Sequence, residues 1–307
     1  MTSIIFLGPR GSFSEAALHE LQDSQGADLV PGGSVAQALA ALRRGDADRA
    51  LVPIENSIEG SVATTLDGLS VGEPLVIVAE QVIPVSFTLM APAGIGMGEI
   101  RTIGTHPHAS AQCSDWVRTN LPQASVIPLT STSAAAAALA EAGAGFEAAI
   151  APRIAADIYG LNILADDIGD NHEAWTRFVL LARAGYLPAP SGADKTTLTL
   201  FMRADHPGAL MEILTEFSVR GVNLTRIESR PTRKALGDYF FSLDCEGHVS
   251  DARVGEALAG LHRICADVRF LGSYPRHDGR QPLVREGVTD VDFRDAEQWL
   301  RSIRGDG

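Results

Sequence analysis

The sequence predicts an α/β protein in two parts, an N-terminal domain of alternating strands and helices and a smaller C-terminal ferredoxin-like βαββαβ module. Three observations carry this. Short apolar runs alternate with amphipathic stretches through the first half; residues 184–194 (AGYLPAPSGAD) are rich in Gly, Pro and Ser without periodicity, as a linker is; and beyond them the period switches cleanly from two to 3.6 and back.

Taken in order, Ile4–Leu7 reads as a strand followed by a helix over Ser14–Leu21, then a helix over Ser34–Leu42 stopped by Gly45, then a strand over Ala50–Ile54. Strands are expected at Leu75–Val78, Val85–Met90 and Arg101–Gly104, and a helix from about His108. Ser131 and Thr132 open an Ala-rich stretch that their hydroxyls can cap. Glu147–Ala151 and Trp175–Leu181 read as further strands.

In the C-terminal part, Thr197 to Leu200 alternate as a half-buried strand. Leu210, Ile213, Leu214 and Phe217 then fall on one face of a helix lying between Pro207 and Gly221. Val222–Arg230 and Asp238–Cys245 form a hairpin around a turn with Pro231 and Gly237, and Tyr239, Phe241, Leu243 and Cys245 share one face. Ser250 is expected to cap a second helix carrying Val254, Leu258 and Leu261, before a last strand at Asp267–Gly272. The tail from Tyr274 is charged, with a helix near Asp292–Ile303.

Composition narrows the function classes. The formal charge of -13, with no clustered Lys and Arg, argues against a nucleic-acid partner. No apolar run approaches the ~20 residues that span a bilayer and the N-terminus has no basic leader, so no membrane role and a cytoplasmic location are expected. Cys113, Cys245 and Cys265 are odd in number and far apart, which suits reduced, buried thiols rather than a disulfide or zinc site. His106 and His108 lack a third ligand at metal spacing, so no metal is expected. The loop over residues 8–13 (GPRGSF) lacks the spacing of a dinucleotide fingerprint, and no cofactor is expected.

The runs HPGALMEIL (206–214) and GVNLTRIESRP (221–231) resemble the amino-acid-binding ACT domain of phenylalanine-regulated enzymes, over about residues 196–273. Four further runs, FLGPRGSFS (6–14), PIENSIEGSV (53–62), THPHASAQ (105–112) and TRF (176–178), resemble the prephenate dehydratase family. Ser12 stands where that family usually has Thr, and His108 where an apolar or amide residue is common. The resemblance implies a two-lobed catalytic domain like a type 2 periplasmic binding protein over residues 1–183, an inserted lobe at about 79–165, a linker at 184–194, an ACT regulatory domain at 195–273 and a tail at 274–307. It further implies prephenate as substrate, phenylalanine as regulatory ligand and a homodimer or homotetramer; with no helical region long enough for a fused chorismate mutase before Ile4 or after the ACT-like part, a monofunctional enzyme is expected. Arogenate dehydratase and a non-catalytic amino-acid sensor remain alternatives.

Prephenate is a dianion that loses a ring hydroxyl and carbon dioxide, so the site needs carboxylate-orienting donors and one proton-donating group. By resemblance the catalytic set is Thr176, Glu55, Asn56, Ser57, Gln112, Arg177 and Phe178. Thr176 is the first candidate for donor to the leaving hydroxyl. Glu55, with a pKa raised by desolvation, is the second. Arg177 offers a charged donor and Phe178 a ring contact, while Ser12, His106, Ser131 and Thr132 are expected to bind substrate. Gly208, Ala209, Leu210, Asn223, Leu224 and Glu228 are expected to hold the regulatory amino acid, Gly208 through close backbone approach and Asn223 and Glu228 as a polar clamp.

Overall fold

A computed structural model describes residues 2–141, 143–204, 206–232 and 238–305. Two compact units emerge, one of residues 1–65 and 81–180 and the other of residues 66–80 and 181–307.

The first unit begins with β1 (Ser3–Leu7), α1 (Phe13–Glu20), β2 (Asp28–Gly32), α2 (Val35–Arg44), β3 (Arg49–Asn56) and β4 (Gly60–Ser61). Helix α2 is delimited as its sequence demands: Ser34 accepts from Gln37 N, and Gly45 ends it in the left-handed region at φ 80°. The chain continues through α3 (Ala63–Ser70) into β5 (Leu75–Pro84), a ten-residue strand longer than the short run Leu75–Val78 suggests. These strands build a sheet of order β2-β1-β3-β11-β5, with β4 added to β3 and β11 spanning Trp175–Arg183.

Between β5 and β11 a second sheet is inserted. Its elements are β6 (Thr88–Ala91), β7 (Thr102–Thr105), α4 (Pro107–Gln112), α5 (Ser114–Asn120), β8 (Ser125–Pro128), α6 (Thr132–Ala140), β9 (Ala148–Ala151), α7 (Arg153–Tyr159) and β10 (Asn162–Ala165), and the strand order is β10-β6-β9-β7-β8. The pairings β7–β8 and β7–β9 are parallel and β6–β9 and β6–β10 antiparallel. The expected two-lobed layout is therefore present within this unit.

The two lobes meet at the loop after β1. Gly11 has φ +78°, and an added Cβ would lie 3.0 Å from the Ala155 side chain, so only glycine fits there. Ser133 Oγ donates to Gly11 O at 2.9 Å and Tyr159 Oη to Arg10 O at 2.9 Å. The lobe carrying α6 and α7 is thus tied to the loop that opens α1.

The second unit contains β12 (Asp194–Phe201), α8 (Ala209–Ser218), β13 (Leu224–Pro231), β14 (Tyr239–Glu246), α9 (Ala252–Ile264), β15 (Asp267–Pro275) and α10 (Asp290–Arg304). The antiparallel order β13-β14-β12-β15 realises the expected βαββαβ module. Leu198, Leu200, Phe241, Leu243 and Cys245 share its core with Ile213, Phe217, Val254 and Leu261 from the helices. Residues 66–80 belong with this unit through ion pairs of its own: Lys195 Nζ lies 2.9 Å from Glu80, and Arg230 Nε 2.8 Å from Asp67.

Two details differ from expectation. Helix α8 buries Ala209, Ile213 and Phe217, leaving Leu210 at 38% exposure: its inward face is turned about one residue from the stripe that began at Leu210. Ser250 does not cap α9; Asp251 is the N-cap, and its carboxylate accepts from His248 N instead of from the helix. The turn expected between Pro231 and Gly237 falls largely outside the described residues, although Pro231 pairs with Tyr239.

Cys113, Cys245 and Cys265 are free and buried, and burial pushes their thiols up to about 12, about 12 and about 11. Among the described residues no helix is long and apolar enough to cross a membrane.

Candidate active site

The end of β3 is joined to the start of β11 by side chains from the PIENS and TRF runs. Ser57 N donates to Trp175 O at 2.9 Å, and Trp175 N returns a bond to Ser57 Oγ at 2.9 Å. One residue along each strand, Asn56 Nδ2 donates to Thr176 Oγ1 at 2.9 Å. The orientation of Asn56 is fixed independently, because its Oδ1 accepts from Ile58 N (2.9 Å) and Glu59 N (3.0 Å). The amide nitrogen must then face Thr176, whose oxygen is an acceptor, leaving the Thr176 O–H to donate elsewhere.

That side of the strands opens on a cavity of about 270 Å³, lined by Phe13, Asn56, Val85, Phe87, His106, His108, Ala109, Gln112, Thr176 and the run Thr130–Thr132. The parts come from both lobes. Ser131 caps α6 by accepting from Ala134 N at 3.0 Å, and His106 caps α4 by accepting at Nδ1 from His108 N at 3.3 Å. Burial is the main cause holding the His106 pKa below its ordinary value; the neighbouring His108 adds to the lowering and Glu59 opposes it. With Nδ1 accepting, the proton of a neutral His106 sits on Nε2. Phe13 and Phe87 meet edge to face at 5.6 Å and supply an apolar wall.

Of the residues singled out in the sequence, Asn56, Gln112, Thr176, His106, Ser131 and Thr132 therefore converge on one cavity. Others are placed elsewhere, because successive side chains of a strand point to opposite faces. Glu55 and Arg177 point away together, with Arg177 Nη1 3.4 Å from Glu55 Oε2 and side-chain exposures of 9% and 40%. Glu55 is thus half-exposed and opposite a guanidinium rather than desolvated in the cleft. Phe178 is 2% exposed in the core, and Ser57 is engaged with Trp175.

Ser12 is the N-cap of α1. Its hydroxyl donates to Leu7 O at 3.0 Å and accepts from Glu15 N at 3.4 Å. Glu15, fully buried, accepts from Gly11 N at 2.6 Å and from Arg10 Nη2 at 3.1 Å. An adjoining cavity of about 790 Å³ shares Thr130 and Ser131 with the first and is lined on its other side by Arg10, Pro31 and Tyr159.

Sequence reading missed Phe13, Val85 and Phe87 as a wall. Phe13 lies inside a run noted for other reasons, but only the topology brings it to Phe87. Among the described residues no three of His, Cys, Asp and Glu gather as a metal-binding set.

In the second unit a cavity of about 140 Å³ is lined by Ala209 with Met202, Arg203, Ala204, His206 and Glu212 among others. Gly208 takes φ +96° as N-cap of α8. Asn223 is exposed, Leu224 packs on the core, and Glu228 lies 3.1 Å from Arg230 Nη1. Apart from Ala209, the residues proposed for the regulatory ligand do not line that cavity.

Residues 4–185 match the family model described as prephenate dehydratase, and residues 196–263 the model described as ACT domain. A prephenate dehydratase of Amycolatopsis methanolica is 44% identical over 305 residues, covering 99% of this chain and 98% of its own. The crystal structure of a prephenate dehydratase from Arthrobacter aurescens, in complex with L-Phe, is 50% identical with a TM-score of 0.93, over 99% of this chain and 100% of that one. A solved structure described as GqqA, a novel type of quorum quenching acylase, is 30% identical with a TM-score of 0.79, over 89% of this chain and 97% of that one. With the family model spanning more than half of the sequence and its relatives matched end to end, the chain belongs to the prephenate dehydratase family.

Proposed function

We propose that this chain converts prephenate to phenylpyruvate in phenylalanine biosynthesis, as a cytoplasmic carbon–oxygen lyase regulated by phenylalanine. The observation that carries the reading is the Asn56–Thr176 pair. It presents a hydroxyl whose oxygen is already an acceptor, and so a directed O–H donor, inside a cavity of ring-sized volume with an aromatic wall. That donor suits a departing ring hydroxyl. An alcohol is a poor acid at neutral pH, so Thr176 acts by hydrogen bonding and proton relay; positioned proton transfer of this kind is typically worth about 10²–10⁴-fold.

Gln112, His106 Nε2–H and the hydroxyl of Thr132 supply neutral donors for the carboxylates and the ketone, and Phe13 and Phe87 flank the ring. Glu55 and Arg177 support the strand pair from its far side. We assign catalysis to residues 1–183, with an inserted lobe at about 79–165, the connection to residues 184–194, and phenylalanine binding to residues 195–273 in a homo-oligomer. Acyl transfer would need a nucleophile paired with a base. Here His106 Nδ1 accepts from backbone and His108 Nδ1 faces Glu59, so the geometry does not favour that activity.

The test is direct. Purified protein is mixed with prephenate at neutral pH and phenylpyruvate is followed by its absorbance in alkali, with and without phenylalanine. Turnover that phenylalanine modulates is the expected result. Absence of turnover on prephenate with turnover on arogenate would move the assignment to the aminated substrate, and phenylalanine binding without either activity would move it to a sensor.

A further inference from the structure

A dianionic substrate, which rests on the function proposed above, requires positive charge that the residues so far placed in the cleft do not provide. Among the described residues no lysine or arginine lines the 270 Å³ cavity, and its ionisable lining groups are His106 and His108. The guanidinium of Arg10, in the adjoining cavity, is held by the buried Glu15, and Arg177 is turned to the far face of the strands toward Glu55. His106 is committed as a helix cap with its pKa lowered.

His108 is the other ionisable group of that lining. Its side chain is 65% exposed at the cavity edge, and its Nδ1 lies 2.6 Å from Glu59 Oε1. The two residues belong to different lobes: Glu59 sits in the turn after β3 and His108 in the first turn of α4. The Glu59 backbone is fixed by Asn56 Oδ1, the same amide whose nitrogen donates to Thr176. The groups facing His108 are Glu59 from that turn and His106 from its own helix, whose ring lies 5.1 Å away edge to face. The remaining cavity-lining side chains are neutral.

We propose that His108, as imidazolium, is the cationic contact of this cavity for one substrate carboxylate, and that Glu59 holds its place until that carboxylate displaces it. An imidazolium presents two N–H donors, and a hydrogen bond to a charged partner is stronger than a neutral one. Substrate binding then weakens as pH rises through the imidazole titration, because the cation is lost while the substrate keeps its charges.

Steady-state kinetics of the full chain on prephenate, over about pH 5.5 to 8.5, test this. In the wild-type protein KM rises with pH. His108→Gln raises KM about tenfold at the acid end, abolishes that rise and leaves kcat within about twofold. His108→Arg restores a low KM and holds it across the range. Glu59→Gln lowers KM, the opposite of His108→Gln. A clasp that merely fastened the lobes would make the two neutral substitutions equally damaging; that result, or a wild-type KM independent of pH, overturns the proposal. Wild-type protein that fails on prephenate altogether removes the substrate assignment itself, whereas wild-type turnover with an unaffected His108→Gln removes His108 alone.

Discussion

The cleft of the first unit and the sheet of the second both bury polar side chains, and they use them in opposite ways. In the sheet, Asp244 accepts from Arg226 Nε at 3.1 Å, Arg226 Nη2 at 3.0 Å and Thr197 Oγ1 at 2.8 Å. Because the Thr197 proton goes to Asp244, the 2.6 Å contact between Thr197 and Tyr274 has Tyr274 as donor. Donors and acceptors mostly close on one another, although among the described residues Thr199 Oγ1 and the Nη1 atom of Arg226 make no hydrogen bond. In the cleft, Asn56 accepts and donates locally but passes one open O–H, that of Thr176, into free volume. Polar burial alone is therefore a poor sign of a site. An aimed donor that the protein itself leaves unused is a better one.

The largest effect that would break this contrast is at Thr176. Thr176→Ala is expected to lower kcat on prephenate by about 10²–10⁴-fold while phenylalanine binding and the melting temperature change little, since the side chain it removes has one internal bond. A kcat near wild type would show that the open hydroxyl is idle and would return attention to Glu55. The next effect belongs to the closed network. Asp244→Ala leaves the guanidinium of Arg226 buried beside a missing charge, for which a loss of about 3–5 kcal/mol in urea unfolding is expected. A loss below about 1 kcal/mol would mean that the network is not closed in solution.

The legibility of the sequence follows the same division. Elements with a clear pattern of residue types announced themselves: β14 alternates although both of its faces are buried, α2 carries its cap and its terminating glycine, and α6 follows its cap Ser131. Elements without a buried face gave no period to read. Strand β2 (DLVPG) is largely exposed and contains Pro31, and β10 (NILA) has no fully buried residue. Half of the cleft was legible because Asn56, Gln112 and Thr176 lie in runs that resemble the prephenate dehydratase family. The sequence could not reveal which face of the strands opens on the cavity, and so that Asn56 and Thr176 enter it while Glu55 and Arg177 turn away. Nor could it reveal that Phe13 meets Phe87 across the lobes. Such facts depend on register and on long-range packing, neither of which is written locally.

Ser12 places a smaller effect between the two regions. Its hydroxyl is spent on Leu7 O and Glu15 N, so it belongs to the closed kind although it neighbours the cleft. Ser12→Ala is expected to cost about 0.5–2 kcal/mol of stability, as loss of a helix cap does, with KM for prephenate unchanged. A several-fold rise in KM with intact stability would place Ser12 among the substrate contacts instead.

The smallest effect sits at the surface of the second unit, where the network thins out into solvent. Arg276, nearly buried, reaches Glu246 at 2.6 Å and the half-exposed Asp278 at 2.7 Å. The hydrogen bond from Arg276, supported by Arg280 N, holds the Asp278 carboxyl down to about 2. A folded-state pKa below the unfolded value of about 3.9 means that the ionised form is favoured by folding. The contribution is complete above the unfolded pKa and is lost as pH falls toward 2. Because Asp278 is half in solvent, screening keeps it below about 1 kcal/mol. The difference in urea midpoint between wild type and Asp278→Asn should be small but measurable at pH 6 and should narrow steadily below pH 4. A difference as large as that of Asp244→Ala would mean that solvent has not loosened the network at its edge, and that closure rather than burial sets the strength of these pairs.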